Sequence, residues 1–265
     1  MNYTVFALFA IAAYLSCTVL IARKFYQNAS QLTPIVLAWL AIGLHALYIS
    51  EPWQLNTGFN FSILSTSSLV SLIVALLLML AALNKPVEKL GIMVFPVAAG
   101  MLGLELLLPE KNRYLQIHDW EIGAHVLTSI IAFSLLNIAA IQAIMLAIQD
   151  QQLKSHPPKR FIQSLPPLQT MEILLFQMLA VGVFFLTISL ASGFIFIKDL
   201  FAQHLVHKTV LSILAWIIFS GLLIGRSRYG WRGKLAIQWT WAGFFLLLLA
   251  YFGSKLVLEN ILGRV

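Results

Sequence analysis

Five of the six histidines in this chain fall where an ionisable side chain is expensive to keep. His45, His118, His125, His204 and His207 sit at or just inside the same-side ends of long apolar runs, whereas His156 lies in a polar connection beside Pro157 and Pro158. Ionisable residues in or near hydrocarbon mark candidate sites. Neutral imidazole is the commonest metal ligand, and a pair of imidazoles from facing helices is a way to hold haem iron in a membrane bundle. His118 and His125 are seven residues apart and His204 and His207 three apart, so each pair can share a helical face. At about 1.5 Å of rise per residue, His45 lies roughly 8 Å inside its run. His125 sits at a similar depth, and His207 is at or just inside the start of its own run. The candidate iron ligands are therefore His125 and His207, and the candidate cofactor-binding set is His45, His125, His207 and Lys208. Lys208 places a cation beside an imidazole, which suits a haem propionate. Taken singly, each histidine is equally an interfacial residue bonded to a neighbouring helix or to water; the convergence of five favours haem.

Other chemistries fit less well. A structural zinc site wants three or four ligands in tetrahedral array, and the single cysteine, Cys17, lies inside the first apolar run. Ser65, Ser68 and Ser71 recur every third residue within a hydroxyl-rich stretch from Ser62 to Ser71. That stripe reads either as small-residue helix packing or as the wet wall of an outward-facing cavity. No nucleophile with its base, no oxyanion donor set and no paired carboxylates are evident, so the chain does not read as an enzyme. The run from Arg226 to Lys234 interleaves Arg226, Arg228, Arg232 and Lys234 with Tyr229 and Trp231. It reads as a stop signal with interfacial aromatics, or as a contact for anionic lipid or a cytoplasmic or inner-membrane protein partner.

The elements that must position these residues follow from composition. Of 265 residues, 60% are hydrophobic and 10% charged, with a mean hydropathy of +0.88. Soluble domains carry about 25% charged residues, so a soluble fold is excluded. The net charge of +7 resides in clusters between apolar runs, which is how Lys and Arg set membrane orientation; no nucleic-acid partner is expected. With about 20 apolar residues needed per crossing, eight spans are expected, over roughly 3–22, 34–50, 62–83, 90–107, 120–149, 171–196, 206–225 and 235–256. The expected fold is an all-α polytopic helical bundle, a single transmembrane domain over 1–265. Thr33-Pro34 starts the second span as cap and first-turn proline, and Pro96 predicts a kink in the fourth. With the N-terminus outside, the inner side holds Arg23, Lys24, Lys85, Lys89, Lys154, Lys159, Arg160, Arg226, Arg228, Arg232 and Lys234. The outer side then holds Lys111, Arg113, Lys198, Lys208, Lys255 and Arg264, so both termini are expected outside.

The last hundred positions carry a resemblance. Met171-Glu172 through Gln177, Ser192-Gly193, His207-Lys208-Thr209, Leu214-Ala215-Trp216, Gly230-Trp231-Arg232-Gly233 and Ala250-Tyr251-Phe252-Gly253 resemble the cytochrome c assembly membrane family. His125-Val126, leading into a serine-containing apolar helix, resembles the family's histidine before its outer haem site. The likeness is most specific over 120–255. The chain has no tryptophan between Trp120 and Trp216, so it resembles the short, HemX-like and YpjD-like branch that lacks the tryptophan-rich outer segment. The resemblance implies haem binding in a bacterial inner membrane and an assembly or regulatory accessory role. A non-catalytic adaptor or regulator of a partner, such as a tetrapyrrole-synthesis enzyme or another inner-membrane complex, is the second expectation. A small transporter is the third.

Overall fold

Backbone N–H and C=O groups find no water in hydrocarbon, so a chain this apolar must satisfy them within helices. The computed structural model describes residues 3–24, 32–51, 59–60, 62–108, 114–115, 120–154, 165–196 and 203–253. Among these, seven helices are long and apolar enough to cross a membrane, and an eighth, over Thr33–Ile49, is apolar but shorter. The helices are α1 (Tyr3–Lys24), α2 (Leu32–Ile49), α3 (Ile63–Ala82), α4 (Gly91–Leu107), α5 (Trp120–Lys154), α6 (Leu168–Phe196), α7 (Gln203–Tyr229) and α8 (Lys234–Leu248). A π-helical turn, Leu249–Gly253, continues α8. The all-α polytopic membrane fold expected from composition is the observed one.

Local chemistry explains several ends. Ser62 caps α3, its hydroxyl accepting from the Ser65 amide at 3.2 Å. A 3₁₀ turn over Glu88–Leu90 leads into α4, which runs unbroken through Pro96. Helix α5 continues past the expected end near residue 149 to Lys154. There Lys154 donates to Asp150 at 2.7 Å, one turn apart, a pairing that supports a solvated helix end.

Packing divides the chain into two compact units, Met1–Ile117 with Ser155–Pro166, and His118–Lys154 with Pro167–Val265. In the first, α1 packs on α2 and α4, and α3 packs on both α2 and α4. The buried face of α1 reads Ala7, Ala10, Tyr14, Cys17 and Ile21, an alternating three- and four-residue spacing that keeps one seam toward its neighbours. Two-residue strands β1 (Phe59–Asn60) and β2 (Tyr114–Leu115) pair antiparallel, with Phe59 opposite Leu115.

In the second unit, α5 and α6 form the most extensive helix pair, α8 packs on α5 and α7, and α6 packs on α7. The buried seam of α6 has the same spacing: Glu172, Leu175, Leu179, Gly182, Leu186, Ser189 and Gly193. A Cβ at Gly182 would lie 2.8 Å from the Leu136 side chain, so the missing side chain sets how closely α5 and α6 approach. At the C-terminal end of α7, Arg226 donates to Glu172 Oε1 at 3.2 Å and to the Trp231 carbonyl at 3.3 Å. The Gly233 amide donates to the same carboxylate oxygen at 3.1 Å.

Replacing Gly182 by Val should cost about 1–3 kcal/mol of stability through overpacking against Leu136, read as a lowered thermal midpoint in detergent. Arg226→Ala should cost about 3 kcal/mol by leaving the buried Glu172 carboxylate without its cation. A second change, Glu172→Gln, should restore part of that loss in the same assay.

Candidate functional site

The first unit encloses His45 completely, four residues before the end of α2. Its Nε2 lies 3.0 Å from Ser68 Oγ on α3, and its Nδ1 lies 3.4 Å from Tyr14 Oη on α1. The Tyr14 ring meets the imidazole edge to face at 5.9 Å and stacks on Phe95 of α4 at 5.8 Å. Three side chains from three helices thus form one buried polar chain. Both ring nitrogens are engaged, so ligation through His45 requires giving up one of these bonds. Sequence reasoning missed Tyr14; the signal available was its place on the three-four seam of α1, where a phenol among alanines is the odd residue.

The serine stripe is used for packing. Ser68 and Ser71 are buried; Ser68 meets His45, and Ser71 donates back to the Ser68 carbonyl at 2.8 Å. Ser65 donates to Glu105 Oε1 of α4 at 2.6 Å. The other oxygen, Glu105 Oε2, is buried with no hydrogen-bond partner among the described residues.

The second unit holds His125, half-buried one turn into α5. Its Nδ1 lies 3.0 Å from Ser192 Oγ on α6. A Cβ at Gly193 would lie 3.0 Å from His125 Cε1, so the ring approaches the α6 backbone closely because position 193 has no side chain. Ser192 in turn donates to the Ser189 carbonyl at 2.9 Å. One turn along α5 from His125, Ser129 shares a 2.6 Å bond with Ser189 Oγ and donates to the His125 carbonyl at 2.7 Å. The hydroxyl at 192 bonds Nδ1 of His125 and so restrains its ring angle, as outer partners do for ligating imidazoles. With Nδ1 so engaged, Nε2 is the nitrogen that remains to meet a ligand.

His207 and Lys208 lie on the first turns of α7 in the same unit, His207 exposed and Lys208 half-buried. His118 and His156 lie outside the described residues, as do Lys111, Arg113 and Lys198; His204 is on α7, with its side chain outside them. No group of three or more His, Cys, Asp or Glu side chains among the described residues is arranged to hold a metal ion.

A multi-helix membrane chain with imidazoles set near its helix ends is the class this geometry defines. The family model described as cytochrome C assembly protein matches residues 29–262, and the chain belongs to that family. It is 33% identical over 263 residues to the inner membrane protein YpjD of Escherichia coli strain K12, covering 97% of this chain and 99% of that protein. The cytochrome c biogenesis protein CcsA of Chlamydomonas reinhardtii is 26% identical over 141 residues, 52% of this chain and 38% of that protein. CcsA of Picosynechococcus is 25% identical over 122 residues, 45% of this chain and 35% of that protein. No solved structure matches the chain. Seven long apolar helices and the full-length match to YpjD make this a multi-pass inner-membrane protein.

Replacing Ser68 by Ala should leave His45 Nε2 buried without its partner and cost about 1–3 kcal/mol. Ser192→Ala, beside the half-buried His125, should cost less. Thermal unfolding of the two variants side by side checks the order.

Proposed function

We propose that the protein holds or handles haem through histidines in the outer half of the bilayer, with His125 as the principal ligand. The observation that carries this reading is the clamped imidazole: Nδ1 bonded to Ser192, the ring seated on Gly193, and Nε2 left for iron. The residues fit haem in kind. His125 is an oriented imidazole in a partly buried setting, and a Cβ at 193 would crowd its ring. His207, exposed on the same unit, supplies a second imidazole, and Lys208 beside it a cation for a propionate. Family membership supports the same cofactor, as does the likeness to proteins named for cytochrome c biogenesis.

Within this reading His125 and His207 bind iron, Lys208 steadies the porphyrin edge, and Ser192 positions His125. His45 is the auxiliary candidate, available once Ser68 or Tyr14 releases its ring. Haem, when bound, supplies a redox-active iron. The chain's own residues bind and orient it and turn over no substrate of their own.

Protein purified after haem-replete expression should show a Soret band with the low-spin signature of two histidine ligands. His125→Ala should abolish it, and His207→Ala should convert it to a five-coordinate spectrum. Ser192→Ala should lower haem affinity by about 10- to 100-fold, the range for loss of a residue that orients a ligand. A wild-type protein that neither carries haem nor binds it on titration would overturn the proposal, as would an unchanged spectrum in His125→Ala.

A further inference from the structure

The inner end of the second unit carries three cations with no internal use. Arg226 is consumed by Glu172 and the Trp231 carbonyl, and Lys154 by Asp150. Arg228, Arg232 and Lys234 are exposed, and none forms a hydrogen bond or ion pair with another described residue. Repulsion would spread three such charges on a loose loop, yet the turn that carries them is fixed. Gly230 and Gly233 adopt positive φ of 65° and 60°, the Trp231 amide donates to the Gly225 carbonyl at 3.2 Å, and the Trp231 ring lies directly on Gly225. The backbone that carries the cations is thus set in folding, which lowers the ordering cost of binding an anion there.

Directly outward from this turn runs an open groove of about 270 Å³ between α7 and α8, lined by Ile218, Gln238, Trp239 and Ala242. Lys234, Gln238 and Ala242 fall at successive four-residue steps along α8, so they share one face. Polarity along that face changes in a fixed order. Lys234 stands at the turn, the Gln238 amide follows one turn in with the Trp239 indole beside it, and the Ala242 methyl lies deeper, with Ile218 of α7 lining the groove. A phospholipid has the same order along its length: phosphate, glycerol ester, acyl chain. Indole rings are favoured at the ester level of a bilayer, and basic pockets between helices on the inner side bind anionic headgroups.

We infer that this turn and groove form a binding site for one anionic phospholipid of the inner leaflet, its phosphate on Arg228, Arg232 and Lys234 and an acyl chain between α7 and α8. The groove decides for a lipid over a free phosphate, because an inorganic anion uses the cations and leaves the apolar slot empty. The site stands apart from the histidines and does not rest on haem binding.

The test is native mass spectrometry of the full chain, delipidated in detergent and titrated separately with phosphatidylglycerol, phosphatidylcholine and inorganic phosphate. One phosphatidylglycerol should be retained, with phosphatidylcholine at least tenfold weaker and millimolar phosphate failing to compete. Each charge removed should weaken retention about fivefold, and Arg228→Gln, Arg232→Gln and Lys234→Gln together on the order of a hundredfold. Ala242→Phe, which alters no charge and fills the groove, should also weaken phosphatidylglycerol and leave thermal stability unchanged. Equal retention of the two lipids, or a triple variant that binds as well as wild type, overturns the proposal. Competition by inorganic phosphate together with an indifferent Ala242→Phe overturns it in favour of a simple anion site.

Discussion

Hydrocarbon offers a buried polar group no water, so an imidazole, hydroxyl or carboxylate carried into a span is costly unless its own helix or the one it faces meets it. Much of the architecture follows from that rule. Ser71, Thr128 and Thr187 turn back to carbonyls on their own helices. The costlier groups recruit neighbours: His45 takes Ser68 and Tyr14, Glu105 takes Ser65, His125 takes Ser192, and Glu172 takes Arg226. Each of these bonds joins two helices, so the polar residues act as the clasps between otherwise featureless apolar surfaces.

The two units hold their histidines differently. In the first, the imidazole is enclosed and bonded through both nitrogens, which makes it part of the fabric that holds α1, α2 and α3 together. In the second, the imidazole is half-buried and bonded through one nitrogen, with its ring angle set by a serine and a glycine of α6. The two imidazoles thus differ in enclosure and in the number of side chains that hold them.

The sequence made the fold legible because hydropathy and length decide helices in membranes almost by themselves. Helix α2 begins at Leu32, ahead of the expected Thr33 cap, so Thr33 and Pro34 both lie within its first turn, and the Ser62 hydroxyl closes the first turn of α3. The ends that moved were those where helix outlasts hydrocarbon: α5 extends on an Asp150–Lys154 pair that hydropathy does not register. Residue types also singled out His45 and His125, which the structure places in hydrogen bonds between helices. What they could not supply was partnership. Tyr14 is thirty-one residues from His45, and Ser192 sixty-seven from His125; such pairings depend on which helices become neighbours, and apolar runs of similar length look alike in that respect. The serine stripe shows the same gap, since a spacing of three fits both a wet wall and a dry seam until the facing helix is known.

Gly182 and Gly193 stand eleven residues apart on the one seam of α6, about 16 Å along its axis. At the first, the Leu136 side chain of α5 occupies the missing volume; at the second, the His125 ring does. The helix pair is therefore riveted at two heights, and one rivet is the imidazole itself. Further along the same helix, Glu172 ties α6 to α7 through Arg226, so the imidazole, the leucine and the ion pair all grip α6.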